Sequence, residues 1–220
     1  MYKKKNIFLF KKNWNKKSAD LIFNTTNKLL DKKKIINFFL TGGKTSLKLY
    51  PDLFKHLKSI KKSIKFYLTD ERVVGLKSKH SNSRFILEIL KKNKIEKKNF
   101  FIINKSNNET ISKITSDYSK VVQSIDIIIL TLGSDGHIAS IFNNLPILKK
   151  NKLNYFYLKR KNENFYRISL TPKAILNSKK IFVLVYGKKR FNIFKKLKNK
   201  SDKFIPASII YNKAIWLIKK

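Results

Sequence analysis

The 220-residue chain contains no cysteine. That excludes a disulfide framework, a thiolate nucleophile and a sulfur-ligated metal centre, and it suits a reducing cytoplasm. Acidic residues are scarce: 13 Asp and Glu stand against 51 Lys and Arg, for a formal charge of +38. Glycine and proline are few, at six and four. No Gly/Ser/Pro linker, internal repeat or heptad pattern divides the chain, so a single domain over residues 1–220 is expected. Long apolar runs are missing as well. The basic start, Met1 to Asn6, is followed only by Ile7-Phe8-Leu9-Phe10 before Lys11 and Lys12, too short for the apolar core of a secretion signal, and nothing approaches a membrane span.

What is present reads as a folded protein, since hydrophobic residues make up 42% of the chain and occur throughout. The basic excess raises the question of a nucleic acid or an anionic membrane as partner. Here the lysines are scattered over every segment together with Asn, Ile and Phe, as compositional drift toward AT-rich codons would leave them, whereas binding arms concentrate their charge. A solvated basic surface is the favoured reading and non-specific phosphate attraction the alternative. No obligatory nucleic-acid partner and no membrane partner are expected. On either reading the field attracts anions.

Short apolar runs ending in Gly, Asp or Thr alternate with stretches of helical spacing. This pattern belongs to an α/β fold: an open, mainly parallel sheet with helices on both faces, of modified Rossmann-like type. Strands are expected at Ile35–Leu40, Ile64–Leu68, Phe101–Asn104, Ile125–Leu132, Phe165–Leu170, Ile181–Tyr186 and Ala214–Ile218, with Ile7–Phe10 as an edge strand. Helices are expected at Ser18–Lys32, Ser46–Ser59, Asn82–Lys92, Glu109–Ser124 and Lys188–Lys198. Pro51 should kink or divide the second, and Ser81 is placed to cap the third. The basic stretch Lys149–Asn164 reads as loop with a short strand at Tyr155–Leu158.

Three polar clusters directly follow strand-like runs, which in an open α/β sheet gathers them at the carboxyl edge where such folds bind ligands. The first is Thr41-Gly42-Gly43-Lys44-Thr45-Ser46. Its glycines allow a tight turn and close approach of a ligand, and N–H groups at the helix start favour an anion such as phosphate. It is not a nucleotide-binding P-loop, because Phe38 stands where that motif requires glycine. A plain strand-to-helix turn is the competing reading.

The second is Thr69-Asp70-Glu71-Arg72-Val73-Val74, with His80-Ser81-Asn82-Ser83-Arg84 downstream. Adjacent acids with an arginine can position a sugar and a phosphate or oxyanion; a surface ion pair is the alternative. The third, Leu132-Gly133-Ser134-Asp135-Gly136-His137-Ile138-Ala139-Ser140-Ile141-Phe142, follows the most apolar run. An imidazole there is suited to general-base work near neutrality, with Asp135 two residues away to orient it.

Together the three clusters resemble the family of 6-phosphogluconolactonases and their relatives, the glucosamine-6-phosphate isomerases and deaminases. That family shows a Ser/Thr-Gly-Gly-Ser/Thr-Thr-Pro turn, an Asp-Glu-Arg motif followed by Ser-Asn, and a Leu-Gly-x-x-x-Asp-Gly-His-x-Ala-Ser-Leu-Phe signature, in this order. The match runs from about Ile35 to Ile218, and Arg167-Ile168-Ser169-Leu170-Thr171, Val185-Tyr186-Gly187 and Pro206-Ala207-Ser208 with Trp216 are similar to later family segments. Lys44 departs from the family's Ser or Thr, Ser46 from its Pro and Arg190 from its Lys, and the Gly133-to-Asp135 stretch is shorter than the common form.

The resemblance implies hydrolysis of 6-phospho-D-glucono-1,5-lactone to 6-phosphogluconate in the oxidative pentose phosphate route, with a small-molecule sugar phosphate as partner. His137 would deprotonate water, Asp135 or a neighbouring carboxylate would orient the imidazole, and cationic groups would stabilise the oxyanion. Arg72, Arg167 and Arg190, with the Gly42-Gly43 turn and its Lys44 and Thr45, are the candidates for phosphate and carbonyl oxygens, and Asp70 for sugar hydroxyls. No cofactor is implied, and no metal site, because His56, His80 and His137 lack ligand spacing. A cytoplasmic monomer or small homo-oligomer is expected.

Two rivals remain. The deaminase branch typically has Asp-Glu-Tyr in the second motif and Phe-Asn-Glu-Pro after the histidine, whereas this chain has Arg72 and Phe142 at the diagnostic places. A basic nucleic-acid-binding homologue without the chemistry is the other.

Overall fold

A computed structural model describes residues 6–103, 109–143, 153–198 and 205–219. Nine strands are described: β1 (Ile7–Phe10), β2 (Ile36–Leu40), β3 (Ile64–Leu68), β4 (Asp70–Arg72), β5 (Ile127–Thr131), β6 (Tyr155–Lys159), β7 (Tyr166–Leu170), β8 (Lys180–Tyr186) and β9 (Ile215–Lys219). Six α-helices accompany them: α1 (Trp14–Leu30), α2 (Lys44–Leu57), α3 (Asn82–Lys92), α4 (Ile111–Val121), α5 (Pro172–Asn177) and α6 (Lys188–Lys198). Six strands form one parallel sheet in the order β1-β9-β8-β5-β2-β3. After β2 the chain moves toward β3, and after β5 it moves the other way, toward β8. Right-handed crossovers in opposite directions place their helices on opposite faces, and they leave a crevice beyond the carboxyl ends of β2 and β5.

The sequence explains this assembly. Ile127 to Leu130 are wholly buried, as a central parallel strand covered on both faces requires. In α2, Leu49, Tyr50, Leu53, Phe54 and Leu57 recur at helical spacing and are all buried. Burial of each is worth about 1.5–3 kcal/mol, so together they outweigh the roughly 3 kcal/mol that an interior proline costs. Pro51 accordingly does not divide the helix; it lies on its exposed side. Ser81 caps α3 by accepting from Arg84 N–H at 3.2 Å, as expected. Helix α1 begins at Trp14, earlier than Ser18, because the Trp14 indole is buried and donates to Leu217 O at 3.0 Å. The short α5, capped by Thr171 with Pro172 in its first turn, was not foreseen.

Two strand expectations change. The run Phe165–Leu170 does form β7, but β7 lies outside the parallel sheet, antiparallel between β4 and β6 in a second, three-stranded sheet. An apolar run reports a strand and not its partner. Residues 101–103 form no strand, and Asn104 lies outside the described residues. Phe101 N–H reaches Phe66 O at 3.0 Å on the free edge of β3. One step further along, side chains take that edge instead. Leu68 N–H donates to Tyr118 Oη at 3.2 Å, and Tyr155 Oη donates to Leu68 O at 2.5 Å. Burial raises both phenols above their ordinary values, which keeps them protonated. Of the basic stretch read as loop, the strand at its centre is β6, and residues 149–152 lie outside the described residues.

Candidate active site

The turn after β2 holds the first cluster. Thr41 is fixed by Tyr50, whose hydroxyl accepts from Thr41 N–H at 3.0 Å and donates to Thr41 O at 2.6 Å. Gly43 has φ 97° and precedes α2, which opens with exposed Lys44 and buried Thr45. Gly42 packs against the second cluster, since a Cβ there would stand 1.9 Å from Asn82 Oδ1. The same amide donates through Nδ2 to Asp70 O at 2.9 Å.

In the second cluster the two acids do different things. Glu71 is buried at the start of α3, where it accepts from Asn82 N–H (2.8 Å), Ser83 N–H (2.6 Å), Arg72 N–H (2.7 Å) and Ser81 Oγ (3.3 Å). Burial pushes its carboxyl above the usual range, with these donors pulling it back. It organises the loop that the motif begins. Asp70 instead faces the loop after β5: Ser140 Oγ donates to its Oδ2 at 2.8 Å, and Thr69 Oγ1 donates to its Oδ1 at 3.1 Å. Arg72 donates to His80 O at 2.9 Å, while its buried Nε has no partner among the described residues. Arg72 is the cross-strand partner of Arg167. Two cations directly opposite each other repel unless acids intervene.

The third cluster is a tight loop beyond β5. Gly133 N–H donates to His137 O at 2.8 Å, Gly136 N–H to Gly133 O at 3.2 Å, and Ala207 N–H to Gly136 O at 3.1 Å. Within it Asp135 Oδ1 lies 2.5 Å from His137 Nδ1 and accepts from His137 N–H at 3.2 Å. Partial burial pushes the Asp135 carboxyl up, but the imidazole's charge and hydrogen bonds outweigh that and hold it below the ordinary aspartate range. Gly133 makes room for the pair: a Cβ there would meet His137 Nδ1 at 2.2 Å and Asp135 Oδ1 at 2.6 Å.

Phe142 links this loop to the small sheet. Its ring lies 4.9 Å from the His137 ring and beneath two guanidiniums, Arg160 at 4.4 Å and Arg167 at 5.7 Å. Arg167 Nη1 donates to Ser140 Oγ at 3.3 Å and stands 4.0 Å from Asp70 Oδ2. Asp135, Phe142, Arg160 and Glu163 line a cleft of about 450 Å³, together with Leu158 and the flanking Lys159 and Lys161. Arg190 sits at the sheet edge, donating to Leu132 O at 2.9 Å and Tyr186 O at 3.4 Å.

The structure thus connects Asp70, Arg72, Arg167, Asp135 and His137 through Ser140 and Phe142, with Gly42 joined through Asn82. Gly43, Lys44, Thr45 and Arg190 lie along the same carboxyl edge. Among the described residues Lys44 and Thr45 are not part of the cleft lining, and the Arg190 guanidinium donates to backbone carbonyls. Sequence reasoning did not single out Ser140 or Asn82 and used Phe142 only to separate the deaminase branch, although all three lie inside its motifs. It also passed over Arg160 and Glu163. Glu163 carried one signal, as the single acid in Lys149–Asn164. Among the described residues no group of three or more His, Cys, Asp or Glu is arranged to hold a metal ion, and no helix is long and apolar enough to cross a membrane.

Comparison with known proteins agrees over nearly the whole chain. Residues 11–218 match the family model described as glucosamine-6-phosphate isomerases/6-phosphogluconolactonase. The chain is 33% identical over 200 residues to a 6-phosphogluconolactonase of Thermotoga maritima, covering 88% of each chain. It is 30% identical over 178 residues to one of Borreliella burgdorferi, covering 76% of this chain and 75% of the relative. Its fold is similar to a crystal structure of a Thermotoga maritima 6-phosphogluconolactonase, with a TM-score of 0.84 at 28% identity over 97% of this chain and 99% of that one. A monomeric glucosamine-6-phosphate deaminase also shares the fold, with a TM-score of 0.78 at 18% identity over 98% of this chain and 97% of that one.

Proposed function

The chain belongs to the glucosamine-6-phosphate isomerase/6-phosphogluconolactonase family, and on that premise we infer its reaction and the residues that carry it. It is an enzyme, a 6-phosphogluconolactonase that hydrolyses 6-phospho-D-glucono-1,5-lactone to 6-phosphogluconate in the oxidative pentose phosphate pathway.

The observation that carries the mechanism is the Asp135–His137 pair at the cleft. With Asp135 ionised and accepting from Nδ1–H, the lone pair of the imidazole is on Nε2, the nitrogen left for water. His137 removes a proton from water as its oxygen attacks the lactone carbonyl carbon. The tetrahedral oxyanion then collapses, the bond from that carbon to the ring oxygen breaks, and the imidazolium returns the proton to the leaving ring oxygen. No covalent enzyme intermediate is needed. Arg72, Arg167 and Arg190 supply positive potential for the oxyanion and the phosphate, with the Gly42-Gly43 turn, Lys44 and Thr45 at the same edge. Asp70 receives sugar hydroxyls beside Ser140.

We take the chain as one working domain, because the proposed residues come from both sheets. The absence of cysteine supports a cytoplasmic setting. A monomer or small homo-oligomer is the proposed assembly, since these groups converge within one chain.

Lactone hydrolysis by purified protein, corrected for spontaneous opening and coupled to 6-phosphogluconate detection, tests the reading. Acceleration by wild type that is lost in His137→Ala is expected. Well-folded wild type that gives no acceleration would overturn it. The deaminase reading is disfavoured by Arg72 and Phe142 at the two places that distinguish that branch.

A further inference from the structure

Arg167 meets its carboxylate partner in the geometry an anionic ligand would take. Its Nε donates to Glu163 Oε2 and its Nη2 to Glu163 Oε1, both at 2.7 Å. Two parallel charge-assisted bonds of this kind are also how a guanidinium grips a phosphate.

The two partners are held very differently. Arg167 is on β7, 8% exposed, with Nη1 against Ser140 and Asp70 and its guanidinium beside the Phe142 ring. That half of the arginine stays anchored without Glu163. Glu163 sits in the connection between β6 and β7, where its N–H donates to Arg160 O at 3.1 Å, and it lines the cleft. Its other recorded contact is a 3.4 Å approach of Arg160 Nη1. The arginine is therefore the fixed member and the loop-borne carboxylate the displaceable one. The hydrogen bonds from Arg167 hold the Glu163 carboxyl below the ordinary glutamate range, so it is ionised throughout the neutral range. Around it Lys159, Arg160 and Lys161 line the same cleft, where Asp135 is the other acid.

We propose that Glu163 is a resident competitor for the substrate's phosphoryl group: its carboxylate occupies the Arg167 fork in the free enzyme and yields it when the sugar phosphate enters. Binding is then an exchange of one anion for another on a guanidinium already in place. Such exchange lowers affinity relative to an open fork, because the incoming anion must displace a bonded carboxylate and meets its charge. It also keeps Arg167 and Arg72, cross-strand neighbours, compensated when the cleft is empty. The inference rests on the lactonase reading only for the identity of the anion.

The test is calorimetric binding of 6-phosphogluconate, and of gluconate as the phosphate-free probe, to wild type, Glu163→Gln, Arg167→Met and the double variant. Glu163→Gln is expected to tighten 6-phosphogluconate binding about five-fold, a change of about 1 kcal/mol, and to lower KM for the lactone. Gluconate binding should not follow, and the tightening should vanish in the Arg167→Met background. Glu163→Ser, which leaves nothing to reach the fork, should tighten binding in the same sense. Equal or weaker binding in the Glu163 variants, tightening that survives without Arg167, or tightening shared by gluconate would overturn the proposal. Because binding of 6-phosphogluconate needs no turnover, wild type that binds it and shows the exchange, yet fails to accelerate lactone hydrolysis, would sink the assigned reaction and leave the exchange standing.

Discussion

The Asp135 carboxylate stands 2.5 Å from Nδ1 of His137, and the same oxygen accepts from the His137 backbone N–H. One side chain thereby fixes both the ring and the peptide that carries it. If this pairing sets the tautomer, Asp135→Asn should lower kcat by about 10²-fold, within the range a positioned general base supplies, with a much smaller effect on KM. Steady-state lactone kinetics above the spontaneous rate check this. A variant with wild-type kcat would remove Asp135 from the mechanism.

Gly133 has no side chain where the Asp135–His137 pair needs space. Gly133→Ala places a methyl within 2.2 Å of His137 Nδ1, so the ring or the loop must shift. The expected outcome is a kcat loss of about ten-fold or more, as small misplacements at a reacting centre produce, with the melting temperature reduced only slightly. Retention of full activity would mean that the loop has slack.

The two tyrosines on the edge of β3 give a stability prediction. Tyr155→Phe keeps the ring and removes the donor to Leu68 O, leaving a buried carbonyl unpaired at a cost of about 1–3 kcal/mol. Urea denaturation measures the loss. Hydrogen exchange should quicken at Leu68 and Thr69, immediately before the Asp70 cluster; an unchanged midpoint would show that water or a neighbour takes over the carbonyl.

Asp126 lies at the opposite end of the sheet, wholly buried, with Lys33 Nζ at 2.6 Å, Lys179 Nζ at 2.9 Å and Asn37 N–H at 2.9 Å. Burial pushes its carboxyl up, but these partners outweigh that and leave it below the ordinary aspartate range. A depressed folded-state value means stabilisation that is complete above the unfolded value, about pH 4. It is lost as pH falls through the lower folded-state value. Asp126→Asn should therefore cost about 1–3 kcal/mol at pH 7, with the gap to wild type narrowing below pH 4. A gap that stays constant into acid would exclude the linkage.

The sequence was informative where backbone constraint and chemistry coincide. Gly42, Asp70, Gly133, Asp135 and His137 follow apolar runs directly, and a parallel sheet carries such positions to one edge whatever the details of packing. Glu163 was not visible in this way, because its partner is chosen by the return of β7 beside the Asp70 strand and not by local spacing. For the same reason Phe165–Leu170 could be recognised as a strand and still be assigned to the wrong sheet. Phe101–Ile103 has strand-like residues, yet hydroxyls from Tyr118 and Tyr155 occupy the edge it would have used. Local spacing also did not show that the Arg190 guanidinium donates to the carbonyls of Leu132 and Tyr186.

The hairpin formed by β6 and β7 brings Arg160, Glu163 and Arg167 into a span of eight residues, while His137 and Asp135 belong to a loop of the other sheet. On the proposed assignment, recognition of charge and activation of water belong to separate stretches of chain that meet at Phe142. On that assignment, substitutions at Glu163, in the turn of the hairpin, would retune which anions are admitted while keeping the Arg167–Ser140 bond that ties the hairpin to the His137 loop.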